Sequence, residues 1–386
     1  MALEAGRELA ERIVERLQGA GHTAYWVGGC VRDQLLGLEP KDFDVATSAK
    51  PDEVLSLFPR AQLVGASFGV ILHDGGVEIA TFRSEGKYRD GRRPEEVRYE
   101  TDAALDATRR DFTINAVFYD PIRNETIDFV GGKADLAAGV LRAIGDAHLR
   151  FGEDHLRLLR AVRFAARFGY TIETQTHAAM IEMAPLIVRI AGERLHDEMR
   201  RILTGPNLDL AWKHLTETGL LREMIPEAEA GSRLTELRGK VSVSLAWAAL
   251  LEGVKDASPV YRRFRFSDEE RHDCADLLVN EQRFPSLQQL RISDLKRFLR
   301  RAKIGDHLEL HRATYGETDA YRFASQKLND WGPEVLNPTP LIDGRDLIAL
   351  GLEPGPRFSQ ILRQVEDAQL EGRIHSKEEA LQLAVS

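Results

Sequence analysis

Cysteine is almost missing from this chain: 386 residues contain only Cys30 and Cys274. Two cysteines cannot build a four-cysteine zinc site, and they do not suggest a disulfide framework. No apolar run is long enough to span a bilayer. The N-terminus sets Glu4, Glu8 and Glu11 among apolar residues, which reads as a helix rather than a signal peptide. The expected location is therefore the cytoplasm, with no membrane partner. An excess of positive charge is missing too. The formal net charge is -9, which argues mildly against nucleic-acid binding over the whole surface and leaves that task to local basic clusters. Tandem repeats are not evident. What remains is a globular composition, 43% hydrophobic and 29% charged, on a chain long enough for two or more domains.

One stretch organises the rest. It runs Trp26-Val27-Gly28-Gly29-Cys30-Val31-Arg32-Asp33 and, after a leucine-rich turn, Lys41-Asp42-Phe43-Asp44-Val45-Ala46-Thr47. Ala24–Val27 is expected as a strand leading into the glycines, Val31–Leu36 as a short helix and Phe43–Ala46 as a strand. Alternate side chains of a strand share a face, so Asp42 and Asp44 would point together while Phe43 turns into the core. Gly28 and Gly29 leave room for a phosphate beside the backbone. Two carboxylates next to a glycine pair can hold divalent metal over a triphosphate, the outline of a phosphoryl-transfer site. Further on, Arg109, Arg110 and Asp111 set two guanidinium forks before a carboxylate. Such forks suit phosphate, which they can bind through two parallel bonds.

The pattern around these residues alternates helices with short strands: helix 3–18, helix 51–57, strands near 64–72 and 77–82, and a hairpin of 117–119 with 126–129. That is an α/β domain. From Glu153 the pattern turns helical. At 100° per residue, Glu153, Asp154, Arg157, Arg160 and Arg167 share one side, Leu158, Leu159, Val162, Ala165 and Ala166 the other, and Arg163 lies on the flank. Pro185–Leu203 holds Glu193, Arg194 and Glu198, the last two spaced to pair along one helix. After Gly205-Pro206 the periodicity stays helical, with a helix at 292–303 carrying Lys296, Arg297, Arg300 and Arg301 as a candidate phosphate-tracking surface. The expected domains are a catalytic head at 1–145, a helical neck at 146–205 and a helical body and tail at 206–386.

Five blocks in order carry a resemblance: the Trp26–Thr47 stretch, Arg109-Arg110-Asp111-Phe112-Thr113-Ile114-Asn115-Ala116, Gly131-Gly132 through Leu141-Arg142, Glu153-Asp154-His155-Leu156-Arg157, and Glu193-Arg194 with Glu198. They resemble the bacterial tRNA nucleotidyltransferases that build the 3′ end of tRNA and their poly(A) polymerase relatives, closely over about the first 200 residues and more loosely beyond. The resemblance implies a polymerase-beta-like head followed by helical domains. It implies addition of C, C and A to tRNA from CTP and ATP, with two Mg²⁺ ions on Asp42 and Asp44 and no obligate protein partner. It also implies a third carboxylate, Glu78, on the neighbouring strand. Gly28, Gly29, Arg32, Arg109, Arg110, Asp111, Asn115, Arg160 and Arg163 would line the nucleotide, Asp111 favouring ribose. Asp154 and Arg157 would meet the Watson–Crick edge of the incoming base, a carboxylate accepting from the amino group and an arginine donating to ring acceptors. Glu153, Glu193, Arg194 and Glu198 would support them. The loop from Gly86 to Arg98 would take part in the switch from C to A.

Four rivals stand beside this reading. A poly(A) polymerase would share the head, but its basic stretch near the start of the neck is not found here. An enzyme adding only A or only CC would share most of these residues. A non-catalytic RNA-binding protein would not need Asp42 and Asp44. A His-Asp phosphohydrolase would need metal ligands where this chain has Glu252-Gly253.

Overall fold

The first helix shows how the head begins. In α1 (Ala2–Gly19) the side chains of Ala10, Ile13, Val14 and Leu17 recur on one face and are all buried, the spacing of an amphipathic helix against a core. That face covers β1 (Ala24–Val27) and β2 (Asp44–Thr47). This computed structural model describes residues 2–65, 69–86, 97–228 and 233–386. Most of the 86–98 loop, singled out above for the C-to-A switch, lies outside the described residues.

Between β1 and β2 runs α2 (Gly29–Leu35). It starts two residues earlier than the periodicity suggests, because Gly28 takes a left-handed φ of 80° and turns the chain straight from the strand into the helix. α3 (Pro51–Leu57) follows β2, with proline in its first turn. Then come β3 (Gln62–Gly65), β4 (Val70–Leu72) and β5 (Glu78–Thr81). The segment expected as one strand around Gly69 is thus two antiparallel ones. A small ribbon, β6 (Arg83–Glu85) with β7 (Val97–Tyr99), precedes α4 (Ala103–Thr108). The hairpin of β8 (Val117–Asp120) and β9 (Glu125–Asp128) completes the sheet.

The seven strands lie in the order β3-β4-β5-β2-β1-β8-β9. All neighbours are antiparallel except β2 and β5, which run parallel in a register that pairs Asp44 with Glu78. Val27, Ala46, Phe82, Ala107, Ala116 and Phe118 pack into one buried cluster beneath this sheet.

The Gly131-Gly132 block has a definite task. Asp128 accepts from the backbone N–H groups of Val130, Gly131, Gly132 and Lys133, which starts α5 (Gly132–Ala138). Gly132 lies so close to the 3-10 turn Thr113–Asn115 that a Cβ there would stand 2.2 Å from the Thr113 carbonyl oxygen. Thr113 in turn donates to Asp135 at 2.7 Å. Helix α5 is thereby pressed against the turn that carries Asn115.

β10 (Val140–Leu141) pairs in parallel with β11 (Thr171–Ile172). Between them lie α6 (Ala147–Glu153) and α7 (Arg157–Phe168). One continuous helical face through 153–157 is therefore a reading the structure corrects: Asp154 is extended, at φ -143° and ψ 105°. Its carboxylate accepts from the Leu156 N–H, which starts the second helix. α8 (Thr174–Met183), α9 (Gly192–Leu203), α10 (Leu208–Glu217) and α11 (Leu220–Met224) follow.

The chain divides into two compact units, one of residues 1–226 with 263–265 and one of 227–262 with 266–386. The stretches expected as head (1–145) and neck (146–205) both fall in the first unit, together with 206–226 of the expected body. The second contains α12 (Val243–Leu251), most of α13 (Ser258–Arg263), α14 (Asp268–Glu281), α15 (Ile292–Leu299), α16 (Ile304–Tyr315), α17 (Asp319–Asp330), α18 (Pro333–Leu336), α19 (Gly344–Ala349), α20 (Pro356–Leu370) and α21 (Lys377–Val385). Its cores gather Phe284, Leu295, Phe298 and Leu308 in one cluster and Leu347, Ile361, Val365 and Ala380 in another. Among the described residues no helix is long and apolar enough to cross a membrane.

Gly132→Ala tests the packing of α5. The added methyl group meets backbone, which cannot swing aside, so urea unfolding should show a loss of about 1–3 kcal/mol, and the same change at Gly6, where a Cβ would have nothing within 4 Å, should cost far less.

Candidate active site

The carboxylates come first. Phe43 is buried as expected, while Asp42 sits just before β2 rather than in it. Asp44 is the first residue of the strand and is half-buried, with Asp42 and Glu78 exposed beside it. Burial, then the charges of Asp42 and Glu78, push the Asp44 carboxyl up to about 6 against the opposing pull of Arg110. An acid held this way is short of positive charge. A cation supplied to the three oxygen donors would relieve it, and all-oxygen donors are what Mg²⁺ prefers.

Arg110 is the second component. A Cβ built on Gly28 would stand 3.6 Å from Arg110 Nη1 and 4.0 Å from Asp44 Oδ2. Gly28, Asp44 and Arg110 thus converge on one point, and Gly28, at φ 80°, holds a backbone conformation that other residues rarely adopt. Arg110 is aimed by Asp106, a nearly fully buried acid on α4. The Asp106 Oδ2 atom accepts from Arg110 Nε at 3.1 Å and Nη2 at 2.8 Å, while Oδ1 accepts from Arg109 Nε at 2.8 Å. Burial would raise the Asp106 pKa, but the two guanidinium groups hold it below its ordinary value. Arg110 also lies 5.5 Å from the Phe118 ring centre. Sequence reasoning missed Asp106, although its spacing three and four residues before the arginines was a signal that it could bind both.

The third component is α7, whose arginines reach back to the head. Arg160 donates to Asp111 Oδ2, through Nε at 2.8 Å and through Nη2. Asp111 Oδ1 accepts from the Phe112 N–H and from Asn115 Nδ2 at 3.0 Å. Burial works to raise the Asp111 pKa, yet Arg160 and these donors hold the carboxyl far below the usual range. Arg157 donates to Glu153, to the Arg150 carbonyl and, at 3.1 Å, to the Arg109 carbonyl. Glu153 therefore does hold Arg157.

The one expected pair that does not form, Arg194 with Glu198, is replaced by two others. Arg194 does not bind Glu198 along its own helix; it donates to both oxygens of Asp154, at 3.1 and 2.8 Å. Glu198 is buried and accepts from Arg163 of α7. The helix break at Asp154 explains the exchange, because it carries that carboxylate off the α7 surface toward α9. Glu193 stays away from this group: its neighbour is Arg265, at 3.8 Å, with both side chains exposed. Arg32 is also not a free phosphate ligand. It is buried, bonded to Asp33 and to Asn115 Oδ1 at 2.6 Å, and lies 4.7 Å from the Phe168 ring centre. Asp33 then accepts from Arg167 at 3.0 Å, another tie that sequence spacing does not reveal.

Comparisons with known proteins place this arrangement. A profile described as "Poly A polymerase head domain" matches residues 24–142. One described as "Probable RNA and SrmB- binding site of polymerase A" matches 169–231, and one for tRNA nucleotidyltransferase domain 2 matches 241–385. The CCA-adding enzyme of Geobacillus thermodenitrificans is 34% identical over 96% of this chain and 94% of its own length. The chain belongs to the CCA-adding enzyme family of tRNA nucleotidyltransferases.

Another family member, from Lactiplantibacillus plantarum, is 43% identical over 61% of this chain and 58% of its own. Among solved structures, the Bacillus stearothermophilus CCA-adding enzyme in complex with CTP is similar with a TM-score of 0.78, at 28% identity over 97% of this chain and 95% of that one.

For this CCA-adding family member the basic cluster of the second unit needs a different account from the one its sequence invites. The helix expected at 292–303 ends at Leu299, so the cluster straddles a helix end where cations are favoured. Lys296 donates to the Leu370 carbonyl at 2.7 Å. Arg297 and Arg300 both donate to Glu366 of α20, at 3.0 and 2.8 Å, and Arg301 to both oxygens of Asp276 of α14. The four cations are engaged with carboxylates and a carbonyl of their own unit, so the cluster is a joint between helices before it is an RNA surface.

Asp44 gives a testable pH dependence. Its folded pKa is raised above the ordinary value of 3.8 to about 6, so the neutral acid is favoured and stability is lost as pH rises through that window. With divalent metal chelated, Asp44→Asn should stabilise the protein on the order of 2 kcal/mol at pH 8. In urea titrations the gain should shrink as pH falls below about 6 and nearly vanish near pH 4; a gain independent of pH would contradict the assignment.

Proposed function

We propose that this protein adds C, C and A to the 3′ end of tRNA. The 3′-hydroxyl attacks the α-phosphate of CTP or ATP, and pyrophosphate leaves. The observation that carries the reading is the convergence of Gly28, Asp44 and Arg110, with Glu78 in register beside Asp44. Asp42, Asp44 and Glu78 would hold two Mg²⁺ ions. These would lower the pKa of the attacking hydroxyl and neutralise the triphosphate charge, so no side-chain general base is needed.

The chain's own residues then position the nucleotide. Gly28 and Gly29 let phosphate approach the backbone. Arg109 and Arg110, fixed by Asp106, face the triphosphate as an aimed pair. Asp111, kept ionised by Arg160, is an acceptor suited to a ribose hydroxyl. Asp154 and Arg157 present a carboxylate and a guanidinium to the Watson–Crick edge, and Arg194 and Glu153 set their angles. Protein side chains would thereby do the work of a template. The names of the relatives support complete CCA addition over poly(A) synthesis or addition of A alone.

Three tRNA substrates decide this: one ending at the discriminator base, one in C and one in CC. Each is incubated with CTP, ATP or both, and products are read on a sequencing gel. The reading predicts full CCA on the shortest substrate, then a stop. Asp42→Ala and Asp44→Ala should each lower incorporation by at least about 10²-fold while the protein stays folded. Addition of A to the CC substrate alone would make this an A-adding enzyme, and a long ladder of A on unrelated RNA would favour a poly(A) polymerase.

A further inference from the structure

Outside the carboxylate and arginine cluster, the first unit holds a second group of ligand-type side chains. His177 lies on α8, and His214 and Glu217 lie on α10 three residues apart, hence on one helix face. One donor atom from each falls within 4.8 Å of the other two, and among the described residues this is the one group of three such side chains drawn so close.

His214 makes the group unusual. Its side chain is buried at 7% exposure beside the buried residues Ala211 and Leu215, yet neither ring nitrogen has a hydrogen-bond partner. Two unsatisfied polar atoms in a buried imidazole are costly, and native proteins rarely leave them so. The His177 and His214 rings are not stacked; their centres are 6.3 Å apart and their planes meet at 61°. Glu217 is held only weakly elsewhere, by exposed Lys213 at 4.0 Å.

We propose that His177, His214 and Glu217 bind a single divalent cation of the zinc class, separate from the catalytic carboxylates. Two imidazole nitrogens and one carboxylate oxygen suit Zn²⁺ rather than Mg²⁺, whose preference is for oxygen alone. Three protein donors leave a fourth position for water. The ion fastens α8 to α10. α8 packs on α6 and α10 packs on α7, so the fastening braces the two helices that meet at Asp154.

The test uses the full chain, stripped of metal and then held in millimolar Mg²⁺ to occupy the carboxylate site. Co²⁺ is titrated in and its visible d–d absorption recorded. The proposal predicts one equivalent of Co²⁺ with an intense tetrahedral band, displaced by Zn²⁺, and a rise in Tm on adding Zn²⁺. His177→Asn and Glu217→Gln lie outside the core. Each should weaken Co²⁺ binding at least about tenfold and abolish the Tm rise, leaving the circular dichroism and the metal-free Tm unchanged. No Co²⁺ uptake by the parent in Mg²⁺, or equal uptake by parent and variants, would overturn it.

Discussion

The bond between Arg160 and Asp111 is the constraint on which the site depends. It joins α7 to the segment just before the 3-10 turn of the head, and both oxygens of Asp111 are engaged. An acid buried this deeply would ordinarily be protonated; here the arginine keeps it charged. The same segment is fixed from below by Gly132 and Thr113, and from the side by Arg32 through Asn115. Arg157 adds a bond to the Arg109 carbonyl, one residue before the arginine that faces Asp44. The residues proposed to read the base and those proposed to bind the phosphates are thus held in one frame. In the proposed function such a frame would let side chains serve as a template, because a hydrogen-bond pattern discriminates only when its donors and acceptors are fixed.

Much of this was legible in the sequence. Residue type and spacing pointed to Asp42, Asp44 and the glycine pair and alternating periodicities to the fold class, while Glu78 and the roles in the Arg-Arg-Asp block came with the family resemblance. What stayed hidden depends on distance across the fold. Periodicity assumed one helix through Glu153 and Arg157, and nothing local in the sequence shows that Asp154 leaves it. Once that residue is extended, Arg194 takes its carboxylate and Arg163 takes Glu198, a rearrangement that spacing along α9 cannot reveal. Asp106 was readable in principle, being one turn before both arginines.

The basic residues of α15 teach the opposite lesson. A run of cations in sequence is not an open cationic surface in the fold. Glu366, Asp276 and the end of α20 are far away in the chain, yet they take up these charges. The net charge of -9 is consistent with such pairing.

The central claim is that the Arg160–Asp111 pair holds the template and the phosphate-binding residues in one frame. A double-mutant cycle with Asp111→Asn, Arg160→Met and the double variant tests it most directly. It reads both urea unfolding and kcat/KM for single-nucleotide insertion. Each single change should lose about 3 kcal/mol of stability, because it strands a buried charge or donor, and each should impair insertion of C and of A alike. The double variant should recover part of the stability and none of the insertion, giving a strongly non-additive cycle in stability alone. Additive stability losses with near-parental insertion in the singles would contradict the account.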